Sequence, residues 1–135
     1  MVKRVRRAYH TALGGAVTTI ELSKYKVGLA MQNFARSGLA SFITLRHDDA
    51  GLVLGRAADG AFDLVFLDSE RSEYVGRWPH LQRVLRPGGL LVVDNATSHV
   101  EEMAAFVTLV ESDTSFTTSL VPVGNGEFLA VKTLG

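Results

Sequence analysis

Two runs, FDLVFLD at residues 62–68 and LLVVDN at residues 90–95, are almost continuously apolar, and each ends in an acid or an acid–amide pair. A strand that is apolar along its whole length is buried on both faces, the situation of a central strand in a sheet covered by helices. The stretch between the two runs suits one helix. The pair therefore reads as a strand–helix–strand crossover, which is right-handed and leaves its strands parallel. That places the chain in the α/β class.

The remaining pattern alternates in the same way. AVTTIE at 16–21 reads as a strand after the turn Gly14-Gly15. Ser23 then caps a helix reaching about Arg36, with Val27, Ala30, Met31 and Phe34 on its apolar face and Gly38 as its stop. Residues 41–47 form the next strand and 51–57 a short helix, with a turn at Asp59-Gly60. A helix over 73–85 is expected to bend or restart near Pro79 and to be broken by Arg86-Pro87-Gly88-Gly89. A helix over 101–111 precedes two strands, 117–123 and 128–133, joined by the hairpin signal Gly124-Asn125-Gly126.

There is no internal repeat or linker, and 135 residues make one domain, 1–135. Lys plus Arg and Asp plus Glu both number 14, so no overall charge draws the chain to nucleic acid. With no cysteine there is no disulfide, thiolate metal site or cysteine nucleophile. No apolar run reaches bilayer length, and the start lacks the apolar stretch of a signal peptide. The expectation is a cytoplasmic protein with neither nucleic-acid nor membrane partners. The basic start, MVKRVRR, reads as a solvated helix start or frayed terminus.

Ligands of open parallel sheets bind outside the carboxyl ends of the strands. Glu21, Asp68 and the pair Asp94-Asn95 end three strands here, and Asp48-Asp49 follow a fourth. If the strands ending at Asp68 and Asp94 are neighbours, Asp68, Asp94 and Asn95 converge as three oxygen donors suited to magnesium. Each acid also has a plainer reading: Asp68 as a helix cap, Asp94-Asn95 as a turn, Asp48-Asp49 as solvated residues. Their joint placement at successive strand ends favours a site. The four histidines show no ligand spacing, and Trp78 and Phe106 read as packing residues.

FDLVFLDSERSEY at 62–74 resembles the stretch of the catechol/caffeoyl-CoA type of O-methyltransferases in which a strand ends in D-x-[DE]-[KR]-x-x-Y, with Asp68, Glu70, Arg71 and Tyr74 in place. LRPGGLLVVDN at 85–95, VTTIE at 17–21, ITLRHDDA at 43–50 and VPVGNGEFLAVK at 121–132 are similar to further segments of that family, in family order. The resemblance implies a Rossmann-like methyltransferase sheet, mostly parallel with a C-terminal antiparallel hairpin, and N-terminally truncated. It implies an S-adenosylmethionine-dependent enzyme that methylates a hydroxyl of a small, catechol-like acceptor, and a homodimer. Glu21 would bind the ribose hydroxyls, and Asp49 and Ala50 would lie by the adenine, with Asp68 also at the cofactor. Asp68, Asp94 and Asn95 would hold a divalent metal, magnesium, that acidifies the acceptor hydroxyl. Asp68 and Arg71 would be catalytic.

Two departures bear on this. Arg71 stands where relatives with a lysine can use it as a base; arginine stays protonated and can only stabilise an anion. The family's first strand, with its Glu-x-Gly-x-x-x-Gly loop, belongs at the centre of the sheet, and MVKRVRRAYHTAL, which precedes Gly14, contains no glycine. The sheet then has a gap unless MVKRV, a partner chain or a rearrangement fills it. The alternative to an enzyme is a vestigial or partner-completed binding module.

Overall fold

A computed structural model of the chain describes residues 15–135 in full and residues 2–6 as backbone. The elements run β1 (Val2–Arg6), β2 (Ala16–Glu21), α1 (Lys24–Ser37), β3 (Ile43–His47), α2 (Ala50–Arg56), β4 (Phe62–Leu67), α3 (Tyr74–Val84), β5 (Leu85–Val93), α4 (Val100–Glu111), β6 (Phe116–Val121) and β7 (Glu127–Lys132). The strands form one sheet in the order β3-β2-β1-β4-β5-β7-β6. β2 pairs parallel with β3 and β4 with β5, whereas β1 and β7 are antiparallel to both of their neighbours. Five strands thus point one way and two the other, a Rossmann-like sheet closed by the expected hairpin.

The place at the centre of the sheet is filled by β1. Of the three ways to close the gap, it is the MVKRV segment that does so, as a strand and not as a helix start or frayed end: Arg4 pairs with Thr18 on one side and Val65 on the other. An interior strand position leaves donors and acceptors on both flanks, and an extended segment satisfies them where a helix cannot. β1 is reversed relative to β2 and β4. Val2 therefore lies beside Ile20 and Leu67 at the carboxyl edge, and Arg6 lies beside Ala16 at the opposite edge. Gly14 of the expected turn, and His10, lie outside the described residues.

The core lies between the sheet and α2, α3 and α4, where Leu54, Trp78, Leu81, Phe106 and Val110 meet Val65, Leu67, Leu91 and Val93. Trp78 and Phe106 are core residues in edge-to-face contact at 5.9 Å. The β2–α1–β3 crossover moves in the opposite direction along the sheet from β4–α3–β5, so right-handedness puts α1 on the other face. α1 has no other described helix beside it on that face, which is why none of its residues is buried. Met31, expected on its inner face, is 60% exposed, while Val27, Ala30 and Phe34 are half-buried.

Ser23 caps α1 and Gly38 ends it, as the sequence indicates. α3 runs through Pro79 without a restart, entered by a 3-10 turn at Arg71–Glu73. The Arg86-Pro87-Gly88-Gly89 segment was expected to precede the strand and is instead part of β5. Pairing passes from Phe62↔Leu85 to Leu64↔Leu90, so the extra residues bulge out of the ladder. A side chain at Gly89 would come within 2.8 Å of the Arg86 carbonyl, which explains the glycine. No helix among the described residues is long and apolar enough to cross a membrane.

Candidate functional site

A cleft of about 850 Å³ opens at the carboxyl edge of the sheet. Its wall on one side is Thr19 to Leu22 of β2 and its exit, with Lys26, Leu29, Ala30 and Asn33 of α1. Leu45, Asp48 and Ala50 come from β3 and the entry to α2, and Asp68, Ser69, Glu70, Glu73 and Arg77 from beyond β4. The structure thus brings Glu21, Asp48, Ala50 and Asp68 to one cavity. Five carboxylates face two cations there, so the potential favours a positively charged ligand.

Local geometry holds these residues out of the strands. Glu21 accepts the Ser23 N–H at 2.9 Å through Oε1, which fixes its carboxylate at the strand exit. Asp48 accepts the Asp49 N–H at 2.8 Å. Asp49 is 43% exposed at its side chain and does not line the cleft. It caps α2 by accepting the Leu52 N–H at 3.0 Å, and its other oxygen faces Arg77 at 3.9 Å. Ser69, directly after Asp68, is held at both backbone groups by Tyr74, whose hydroxyl accepts its N–H at 2.9 Å and donates to its carbonyl at 3.1 Å. Burial pushes the Tyr74 phenol above its usual pKa, so it stays protonated as a donor.

Arg71 is turned away from the cleft. Its Nε donates to Glu102 of α4 at 2.8 Å, and that bond holds the guanidinium above its usual pKa and Glu102 below its own. Arg77, which the motif does not contain, is the guanidinium in the cleft; it pairs with Glu73 and donates to Ser69 Oγ at 3.4 Å. Only its position one turn into α3 hinted at this.

Asp94 and Asn95 follow β5 beside Asp68, since Leu67 pairs with Val93 and the Asp94 N–H donates to the Leu67 carbonyl at 3.2 Å. Asp94 Oδ1 accepts the Asn95 N–H at 2.7 Å, and Asn95 takes a left-handed φ of 64°, which asparagine tolerates. Neither residue lines the cleft described above. Glu127, at the start of β7, was missed in the sequence. Its carboxyl is pushed above the ordinary glutamate range, first by burial and then by hydrogen bonding and charge from Asp94, with Asp68 adding to the effect. Its Oε2 is buried with no hydrogen-bond donor. Among the described residues no group of three His, Cys, Asp or Glu is placed to hold a metal ion.

The O-methyltransferase family profile matches residues 6–133. A Mycobacterium avium (strain 104) protein assigned by name to the O-methyltransferases is 33% identical over 131 aligned positions, covering 87% of this chain and 59% of that protein. The chain therefore spans about three-fifths of the length of the curated relatives it matches. Among solved structures, an O-methyltransferase from Bacillus cereus in complex with SAH is similar with a TM-score of 0.77 at 20% identity, over 89% of this chain and 64% of that one. TomG, an O-methyltransferase from Streptomyces achromogenes in complex with SAM, has a TM-score of 0.75 at 24% identity, over 88% and 62%. The two structural likenesses concern the fold alone; the profile match and the shared sequence show that the chain belongs to the O-methyltransferase family.

Proposed function

We propose that this chain carries the cofactor cleft of an S-adenosylmethionine-dependent O-methyltransferase acting on a hydroxyl of a small, catechol-like acceptor. The observation that carries the reading is the meeting of Glu21 and Asp68, from strands on either side of β1, in one acidic cleft at the carboxyl edge. A carboxylate at the end of β2 suits the two ribose hydroxyls, because its free oxygen and outer lone pairs accept both hydrogen bonds. The adenine would rest against Ala50; Asp49 contributes by capping α2 beneath it. The carboxylate-rich lining favours the sulfonium cation over the neutral thioether left after transfer. Methyl transfer breaks the sulfur–methyl bond and forms the oxygen–methyl bond, and the acceptor proton leaves to a base. Arg71, committed to Glu102, positions α4 against the loop after Asp68 in this reading rather than touching the acceptor.

Asp68, Asp94 and Asn95 fit a hard divalent ion such as magnesium. They are oxygen donors on adjacent strand ends, and the buried Glu127 oxygen beside Asp94 lacks a positive partner. A divalent ion held there would supply acidification of the acceptor hydroxyl. Calorimetric titration with S-adenosylhomocysteine, with and without magnesium, tests the proposal. Binding is expected, weakened about tenfold or more by Glu21→Ala, the loss of a charged hydrogen-bond acceptor. Absence of any binding at millimolar ligand sinks the enzyme reading for this chain. Catechol binding that is indifferent to magnesium and to Asp94→Ala sinks the metal role.

A further inference from the structure

We propose that Arg77 is the positioning residue of the cleft, setting the distance between the loop after β3 and the loop after β4; the inference rests on the cofactor reading above. The Arg77 side chain is only 11% exposed, a costly place for a guanidinium unless its donors are used. Its partners lie on two segments, the stretch between β4 and α3 and the N-cap of α2. Glu73 precedes α3, Asp49 caps α2 at 3.9 Å, and Ser69 Oγ follows Asp68 at 3.4 Å. Gly51, in the first turn of α2, keeps the Asp49 cap clear: a side chain there would come within 2.9 Å of Asp49 Oδ1, the oxygen that accepts the Leu52 N–H, and would only touch Arg77 Nε at 3.9 Å.

The planar fork of arginine reaches both loops at once, and a lysine ammonium on a single stem cannot. The two loops carry Ala50 on one side of the cleft and Asp68 on the other, so the span of Arg77 becomes the span of the cleft. Tyr74 anchors Ser69 from within the core, and Arg77 ties that loop to the N-cap of α2, while Arg83 further along α3 donates to the Leu54 and Ala57 carbonyls at the other end of α2.

Three readouts on the whole chain test this: amide hydrogen exchange without ligand, S-adenosylhomocysteine affinity and thermal unfolding. Arg77→Lys is expected to unfold within a few degrees of the wild type. It should nevertheless speed exchange at Leu52 and Ser69 and weaken S-adenosylhomocysteine about tenfold, and Arg77→Met should do so further. Arg86→Gln, which removes an ion pair to Asp63 away from the cleft, should change neither exchange nor affinity. Wild-type exchange at Leu52 and Ser69 in both Arg77 variants overturns the positioning role. Faster exchange with unchanged affinity overturns its link to the cofactor. A wild-type chain that binds no S-adenosylhomocysteine overturns the function reading, while the exchange result still decides whether Arg77 holds the two loops.

Discussion

The Tyr74 hydroxyl is occupied twice by the backbone of Ser69, and its ring packs edge-to-face on Phe106 at 5.5 Å. A tyrosine that reads as part of a site motif thus acts by holding the residue after Asp68. Tyr74→Phe keeps the packing and loses both hydrogen bonds, so denaturant unfolding should show a loss of about 1–3 kcal/mol. An unchanged midpoint would show that the two bonds contribute nothing. Glu127 presents the opposite case, a carboxylate oxygen buried without a donor. Its raised pKa means that its contribution to stability is complete below the unfolded value and is lost as pH rises through the folded one. The wild type should therefore fall behind Glu127→Gln as pH climbs from the ordinary glutamate range towards neutrality. The glutamine amide can donate to Asp94, and the variant should be more stable by about 1 kcal/mol at pH 7, with the difference closing near pH 4. A glutamine variant less stable at pH 7 would contradict this.

The β6–β7 hairpin is an element whose turn serves a neighbour. The Asn125 carbonyl accepts the Thr97 and Ser98 N–H groups at 3.0 and 3.2 Å, and the Gly126 carbonyl accepts that of Ala96 at 2.9 Å. Gly124-Asn125-Gly126 thereby holds the turn that presents Asp94 and Asn95. Gly126 has φ of 83°, and a side chain there would run into Thr97. Gly126→Ala should cost about 1–3 kcal/mol in thermal or denaturant unfolding, from backbone strain and overpacking. If Asp94 and Asn95 hold the metal, the same change should also weaken magnesium binding. A fully stable alanine variant would show that the turn can relax without them.

For the whole molecule, the unusual feature is a reversed strand at the centre of the sheet. Arg4 sits in both ladders, so Arg4→Pro removes a backbone donor from an interior strand and adds a ring. A loss of about 3 kcal/mol or more is expected, a large share of the stability of a domain of this size, and should appear as a clearly lowered unfolding midpoint. A normal melt from this variant would show that β1 is dispensable. The acids at the ends of β2, β4 and β5 were legible because strand ends are local features, and β4 and β5 could be placed side by side because strands joined by a single crossover helix usually lie next to each other. The cap at Ser23, the stop at Gly38 and the final hairpin were legible for the same local reason.

What sequence alone settled was therefore the class of the sheet, the order of most elements and the identity of the acids at its carboxyl edge. Tertiary structure decided the rest: that β1 lies antiparallel between β2 and β4, that Arg71 turns to Glu102 while Arg77 enters the cleft, and that Glu127 joins Asp94. Periodicity and capping act over a few residues. The direction of a central strand and the partner of a long charged side chain depend on segments tens of residues apart meeting in space.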